Sequence, residues 1–324
     1  MVNLIALYPG QGSQFPKMTL DLYAASQKVR DLFGLASEVC KKDFFAILEQ
    51  GTAEELQDTR LTQLVVTLAN RAAYIRLQEL GMQMICHAGF SLGELSSYAG
   101  GGILDDETLF KIVQRRGILM ADSAREAELK HGKLGMAAVI GLSFQEVESL
   151  LEAEKLEGLY CANDNGPAQV VLAGKENLIT QAKQLLLDKG AKKVIPLRVS
   201  GPFHTPFMEE ATVEFSTFLS NCKFSDPQQA VISSVHGDFV HSKEEALALL
   251  ARQLASPLRW TATMQRIETF ARTQDSVVLG ELGAKGVLSG LWKSSGSFLP
   301  CSTLGTEEAI KLATQEYKEN DNGY

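Results

Sequence analysis

Short uninterrupted apolar runs alternate with longer stretches of helical spacing over the first hundred residues. Leu4-Ile5-Ala6-Leu7-Tyr8, stopped by Pro9-Gly10-Gln11-Gly12, predicts a strand buried on both faces and ending in a loop. Helical patterns dominate from there to about Gly81. Met82 to Ala88 predicts a second buried strand, followed by Gly89-Phe90-Ser91-Leu92-Gly93 and a small-residue helix through Tyr98. Strands alternating with helices imply an α/β domain with a parallel sheet.

The texture changes between about Gly132 and Arg198. The pattern there predicts a strand Met136–Ile140, a helix Phe144–Glu154, strands near Leu159–Ala162 and Gln169–Ala173, a helix Asn177–Lys189 and a strand Lys193–Leu197. A βαββαβ unit of this kind is the ferredoxin-like arrangement, able to bury one face of its own sheet, and is expected as an insertion. The expected division is residues 1–131 and 199–302 for a large catalytic subdomain and 132–198 for the small one, with 303–324 a C-terminal helix and polar tail, frayed from Glu319 to Tyr324.

A third pattern points to chemistry. In a helix expected from about Asp105 to Ala121, Leu109, Ile112, Val113 and Met120 define one apolar face, and Arg116 falls on it. Arg115, rotated by about 100°, is expected in solvent beside Lys111. A buried unpaired cation is costly, so Arg116 should meet an anion, and a guanidinium suits a carboxylate. An internal salt bridge or a snorkelling side chain would satisfy the same pattern.

Composition narrows the choice. The 324 residues carry 31 Lys and Arg against 39 Asp and Glu, a formal net charge of −8. That disfavours nucleic acid as a partner, and an acidic ligand would need a local basic site. Cys40, Cys86, Cys161, Cys222 and Cys301 are dispersed, without a Cys-x-x-Cys pair, so neither a disulfide framework nor a metal site is expected. With no secretory layout at the amino terminus and no apolar stretch of about 20 residues, the expectation is a cytoplasmic protein without membrane association.

Gly89-x-Ser91-x-Gly93 lies where a strand turns into a helix. Glycines two positions either side of a serine permit a strained turn that exposes its hydroxyl as a nucleophile, the lesser alternative being Ser91 as the cap of a glycine-rich helix start. A nucleophilic serine needs a base, and the candidates are His87, His131, His204, His236 and His241. His204 follows Ser200-Gly201-Pro202-Phe203, a turn-rich segment at a subdomain junction, and is either that base or a structural loop histidine. His87, inside a strand, reads better as a satisfied core histidine. Gly10-Gln11-Gly12 could offer N–H groups to an anion or an oxyanion, but matches neither a Walker loop nor a dinucleotide fingerprint.

Taken together, Tyr8-Pro9-Gly10-Gln11-Gly12-Ser13-Gln14, Gly89-Phe90-Ser91-Leu92-Gly93-Glu94, Arg115-Arg116-Gly117, Asn163-Asp164-Asn165-Gly166-Pro167 and Gly201-Pro202-Phe203-His204 resemble malonyl-coenzyme A:acyl carrier protein transacylases, from about residue 4 to 300. The resemblance implies an α/β fold, with an α/β-hydrolase-like large subdomain and an inserted ferredoxin-like small one. It implies transfer of a malonyl group from coenzyme A to an acyl carrier protein for fatty acid synthesis, through a malonyl-serine. Ser91 would be the nucleophile, His204 the base and Arg116 the holder of the malonyl carboxylate. The N–H groups of Gln11 and Leu92 would form the oxyanion hole. The backbone carbonyl of Gln253 would orient His204, and Asn165 matches a polar residue near the site, though Asn163 and Asn165 could equally shape the turn before Pro167.

The resemblance also implies malonyl-CoA as substrate with no permanently bound cofactor, and a monomer is expected. Phe203 resembles malonyl-selective members and would disfavour an α-methyl group. Phe90 departs from the family, which commonly has histidine before the nucleophile, and bears on how the acyl group is seated. Lys189, Lys192, Lys193 and Arg198 could dock an acidic carrier or form an ordinary solvated face. Alternatives are a trans-acting acyltransferase of a polyketide synthase, a malonate decarboxylase component, a serine thioester hydrolase, or an idle carrier-binding scaffold.

Overall fold

The computed structural model describes residues 3–197 and 201–321. Its ten strands are β1 Asn3–Tyr8, β2 Gln83–Gly89, β3 Leu134–Ile140, β4 Leu159–Gly166, β5 Gln169–Lys175, β6 Lys193–Leu197, β7 Ala230–Ile232, β8 Leu258–Arg259, β9 Val277–Glu281 and β10 Cys301–Thr303. Five of them form a parallel sheet in the order β10-β9-β1-β2-β7. The pleat of β1 feeds two cores: Leu4, Ala6 and Tyr8 pack with the helices Thr59–Glu79 and Asp106–His131, while Ile5 and Leu7 pack with Trp260, Met264, Leu288 and Trp292 on the opposite face. Each fully buried leucine or isoleucine contributes about 1.5–3 kcal/mol, which explains why this central strand is apolar at every buried position.

The other sheet runs β6-β3-β5-β4-β8. Its first four strands are antiparallel neighbours in the 4-1-3-2 order of the ferredoxin-like βαββαβ unit. Ala137 and Val139 face the unit's own helices through Val147, Leu151, Ala182 and Leu186. The opposite face joins the large core through Met136, Ala162 and Val171. β8 arrives from the later part of the chain and pairs with β4 in parallel, Asn163 opposite Leu258 and Asp164 opposite Arg259. The expected return point at 198–199 and the candidate Arg198 lie outside the described residues, whereas Lys189, Lys192 and Lys193 are exposed.

Two expectations are corrected. The helix expected to end at Ala121 continues to His131, because Ala124 and Ala127 extend its buried stripe until Gly132, at φ 83°, terminates it. Asn163, Asp164 and Asn165 lie in β4 rather than in a turn. Register shifts at Cys161/Asn163 and Asp164/Gly166 accommodate them, and the chain reverses between the paired Gly166 and Gln169. Among the described residues no helix is long and apolar enough to cross a membrane.

Candidate active site

The end of β2 turns into the helix Gly93–Gly100 through Ser91, which sits at φ 53°. A serine in that left-handed region is strained and needs its surroundings to hold it. The two flanking glycines make this possible by close approach. A Cβ on Gly89 would fall 2.1 Å from the Gly93 carbonyl, and one on Gly93 would fall 1.9 Å from the Tyr8 oxygen. Phe90 N–H donates to the Tyr8 carbonyl at 3.0 Å, tying the turn to β1. The first helical turn receives no side-chain cap. The Ser91 hydroxyl lies instead 2.8 Å from His204 Nε2.

His204 is also held at positive φ, 63°. Its backbone N–H donates to the Leu254 carbonyl at 3.0 Å, and its Nδ1 lies 2.9 Å from the Gln253 carbonyl. A carbonyl can only accept, so Nδ1 carries the proton and Nε2 accepts from Ser91. Burial is the main reason the imidazole is pushed down to about 4, and the neighbouring Arg116 cation pushes the same way. The neutral, proton-accepting form is therefore the resting state at neutral pH.

Arg116 points inward and is almost wholly buried. Its Nη1 donates to Gln63 Oε1 at 2.9 Å and its Nη2 to Gln253 Oε1 at 2.8 Å, with Ser91 Oγ 3.4 Å from the same Nη2. Nε has no hydrogen-bond partner among the described residues. Among the described residues no side-chain carboxylate meets this cation directly: it meets amide oxygens, and the pull of the Glu94 charge only partly opposes the burial that lowers its pKa to about 10. Arg115, expected in solvent beside Lys111, pairs with Glu214 across the groove to the helix Glu209–Leu219, while Lys111 pairs with Glu107.

The remaining candidates are distributed around this centre. Gly10 lies against the turn, since a Cβ there would be 2.7 Å from the Phe90 oxygen and 3.7 Å from Leu92 N. Gln11 follows it, its side chain donating to Thr59 Oγ1 at 3.4 Å. Phe203 is buried in the large core beside Gly201. Asn165, on β4, is buried with an unpartnered Oδ1 among the described residues. Phe90 packs edge-on against Trp260 at 5.4 Å, in the cluster on the sheet face opposite the Arg116 helix.

The other histidines are engaged elsewhere. His87 binds Tyr8 OH through Nδ1 and Gln229 Oε1 through Nε2, His236 binds Glu245, and His131 packs edge-on against Phe207. Two further residues support this centre without being site candidates in the sequence, although Glu94 closes the Gly89–Glu94 motif. Gln63 immediately precedes the apolar run Leu64-Val65-Val66 in its helix, and Glu94 is a fully buried carboxylate three residues after Ser91.

The acyl transferase domain family matches residues 6–279. The malonyl CoA-acyl carrier protein transacylase of Bacillus subtilis is 32% identical over 325 residues, covering 99% of this chain and all of the relative. Among solved structures, the malonyl CoA-acyl carrier protein transacylase from Coxiella burnetii superposes with a TM-score of 0.90 at 28% identity, covering 98% of each chain. A malonyl-transacylase in complex with its type II PKS acyl-carrier protein gives 0.88 at 30% identity, covering 97% of this chain and 99% of that one.

Proposed function

This chain belongs to the acyl transferase domain family, and on that premise we propose that it moves a malonyl group from coenzyme A to the phosphopantetheine thiol of an acyl carrier protein, by ping-pong chemistry on Ser91. The observation that carries this reading is the junction at Ser91 Oγ, 2.8 Å from a neutral imidazole acceptor and 3.4 Å from a buried guanidinium that has no direct carboxylate partner among the described residues. The first contact activates a nucleophile, and the second selects an acyl group with a free negative charge.

In this mechanism the malonyl carboxylate binds Arg116 and sets the thioester carbonyl over Ser91. As Ser91 Oγ bonds to that carbonyl carbon, its proton passes to His204 Nε2, and the imidazolium is stabilised through Nδ1–H to the Gln253 carbonyl. The N–H groups of Gln11 and Leu92 receive the oxyanion. The carbon–sulfur bond breaks, His204 returns the proton to the leaving thiolate, and coenzyme A departs. The carrier's thiol then attacks malonyl-Ser91 by the reverse sequence. Asn165 borders the acyl site in this reading, and Phe203 narrows it against an α-methyl branch.

Intact mass after brief mixing with malonyl-coenzyme A tests the proposal. The expected result is a malonyl adduct on the wild type that is absent from Ser91→Ala, with acetyl-coenzyme A labelling poorly. Arg116→Ala should lose malonyl labelling while keeping or gaining acetyl labelling. Equal loss of both would refute the assigned role of Arg116, and rapid release of free malonate without a thiol acceptor would favour a hydrolase. Because one similar structure is a complex with a type II PKS acyl-carrier protein, transfer to carriers of fatty acid and polyketide type should be compared directly.

A further inference from the structure

We infer that Glu94 is a positioning residue for Arg116, acting through the Gln253 carboxamide, and so contributes to the preference for acyl groups that bear a carboxylate; this rests on the function proposed above. Glu94 is fully buried in the first turn after Ser91. Its carboxylate accepts from Ser233 Oγ, from Ser234 Oγ at 2.6 Å and N at 3.3 Å, from Tyr98 OH at 3.2 Å and from Gln253 Nε2 at 2.8 Å. A buried charge is retained only when it is surrounded by donors in this way, so the carboxylate is held rigidly.

The consequence falls on Gln253. Its amide nitrogen has two acceptors on one side, Glu94 Oε2 and the Ser91 carbonyl at 3.1 Å. That fixes the amide oxygen toward Arg116 Nη2, at 2.8 Å. If the carboxamide rotated by half a turn, its NH2 would face the guanidinium donors and the contact would become repulsive. Glu94 opposes this rotation together with the Ser91 carbonyl, and more strongly, because it carries a charge and makes the shorter contact. The same Gln253 supplies the backbone carbonyl that orients His204, but that bond is independent of which way the side-chain amide faces. Glu94 should therefore govern the seat of the carboxylate more than the Ser91–His204 pair.

The test uses the full chain with Glu94→Gln, Glu94→Ala, Gln253→Leu and the Glu94→Gln/Gln253→Leu double variant. Single-turnover acylation by malonyl- and acetyl-coenzyme A is followed by intact mass, with the rate of Ser91 modification by phenylmethylsulfonyl fluoride measured alongside. In Glu94→Gln the malonyl rate constant should fall about tenfold relative to acetyl, equivalent to about 1.4 kcal/mol. Sulfonyl fluoride reactivity should change less than malonyl acylation does. The double variant should lose no more selectivity than Gln253→Leu alone, because both act on one contact. Equal losses for malonyl and acetyl, or additive losses in the double variant, would overturn the inference and leave Glu94 as an anchor for the Ser233-Ser234 loop. Should Glu94→Ala fail to fold, the near-isosteric Glu94→Gln decides the matter. Absence of a malonyl adduct on the wild type would overturn the functional reading and this inference together. Selectivity lost in Arg116→Ala but intact in Glu94→Gln would overturn this inference alone.

Discussion

Replacing Arg116 by methionine removes a charge from beside the candidate base while keeping most of the side-chain volume, and the effect on pH dependence can be worked out. Burial is the larger cause of the depressed His204 pKa, and Arg116 is the second. Nη2 lies 3.4 Å from Ser91 Oγ, which lies 2.8 Å from His204 Nε2, so cation and imidazole are within about 6 Å. At an effective dielectric of about 20 that separation corresponds to about 3 kcal/mol, or about two pH units. The Glu94 charge near Arg116 offsets part of this, leaving an expected change of about one to two units. A cation opposes protonation of the ring, so its removal raises the His204 pKa, and the acid limb of Ser91 reactivity moves to higher pH. Burial persists, which keeps the limb below the ordinary histidine value. The assay is the pH profile of Ser91 modification by phenylmethylsulfonyl fluoride, a neutral reagent that does not need Arg116 for recognition. An acid limb that stays in place or moves down would refute the electrostatic coupling. The coupling also implies that a malonyl carboxylate, by neutralising Arg116, strengthens the base in the bound complex. The acid limb of kcat for malonyl-coenzyme A should then lie above that for acetyl-coenzyme A.

Further outcomes follow from particular contacts. Gly93→Ala would drive a Cβ to 1.9 Å from the Tyr8 oxygen, where backbone must move, so it should cost about 3 kcal/mol or more; a melting temperature lowered by less than about 2 °C would contradict that. Phe203→Ser should narrow the malonyl-to-methylmalonyl ratio of kcat/KM, by about tenfold given the 1–3 kcal/mol worth of a methyl group in a pocket, and an unchanged ratio would remove the assignment. His87 and His204 are both held near 4 by burial, so the unfolded chain binds more protons than the native one between about pH 4 and 6.5. Stability should therefore fall as pH falls through that window, by up to about 3 kcal/mol for each histidine, and a urea midpoint that is flat from pH 7 to 5 would exclude it. Reversing charge at the exposed Lys192 and Lys193 should weaken apparent affinity for an acidic carrier, which unchanged KM for the carrier would disprove.

What could be read from the chain was what short spacing encodes. The Gly-x-Ser-x-Gly interval announces a turn in which a Cβ on either glycine would strike backbone, and the structure shows that both glycines are sterically required. The inward direction of Arg116 follows from its register with Leu109, Ile112 and Val113, and the βαββαβ order follows from the alternation of periods. The errors also have local causes. Ala124 and Ala127 are too small to mark an apolar stripe strongly, so the last ten residues of their helix carry little periodic signal. Asn163, Asp164 and Asn165 carry turn chemistry, but pairing of Asn163 and Asp164 with β5 on one side and β8 on the other holds the segment in a strand, Asn165 falling at a register shift.

The partners of Arg116 belong to a different category, because their meaning arises only on folding. Gln63, Gln253 and Glu94 are separated from the residues they serve by tens to well over a hundred positions, and a glutamine or glutamate on the surface would look the same in a sequence. Gln253 and Glu94 fall in segments that the family resemblance marks, whereas Gln63, just before the apolar Leu64-Val65-Val66, is announced by nothing but its polarity. The rule that a buried cation should meet an anion left a ligand carboxylate or an internal salt bridge as partner for Arg116, and among the described residues the fold supplies two amide oxygens and no direct salt bridge. That discrepancy is itself informative. A guanidinium needed only for stability would be paired directly, as Arg76 is with Glu307 and Arg71 with Asp106 in this same protein. Neutral acceptors orient the cation without cancelling it, and the Glu94 charge stands one side chain further back. An arginine in this condition, 3.4 Å from a serine oxygen, is what the proposed seat for a malonyl carboxylate requires.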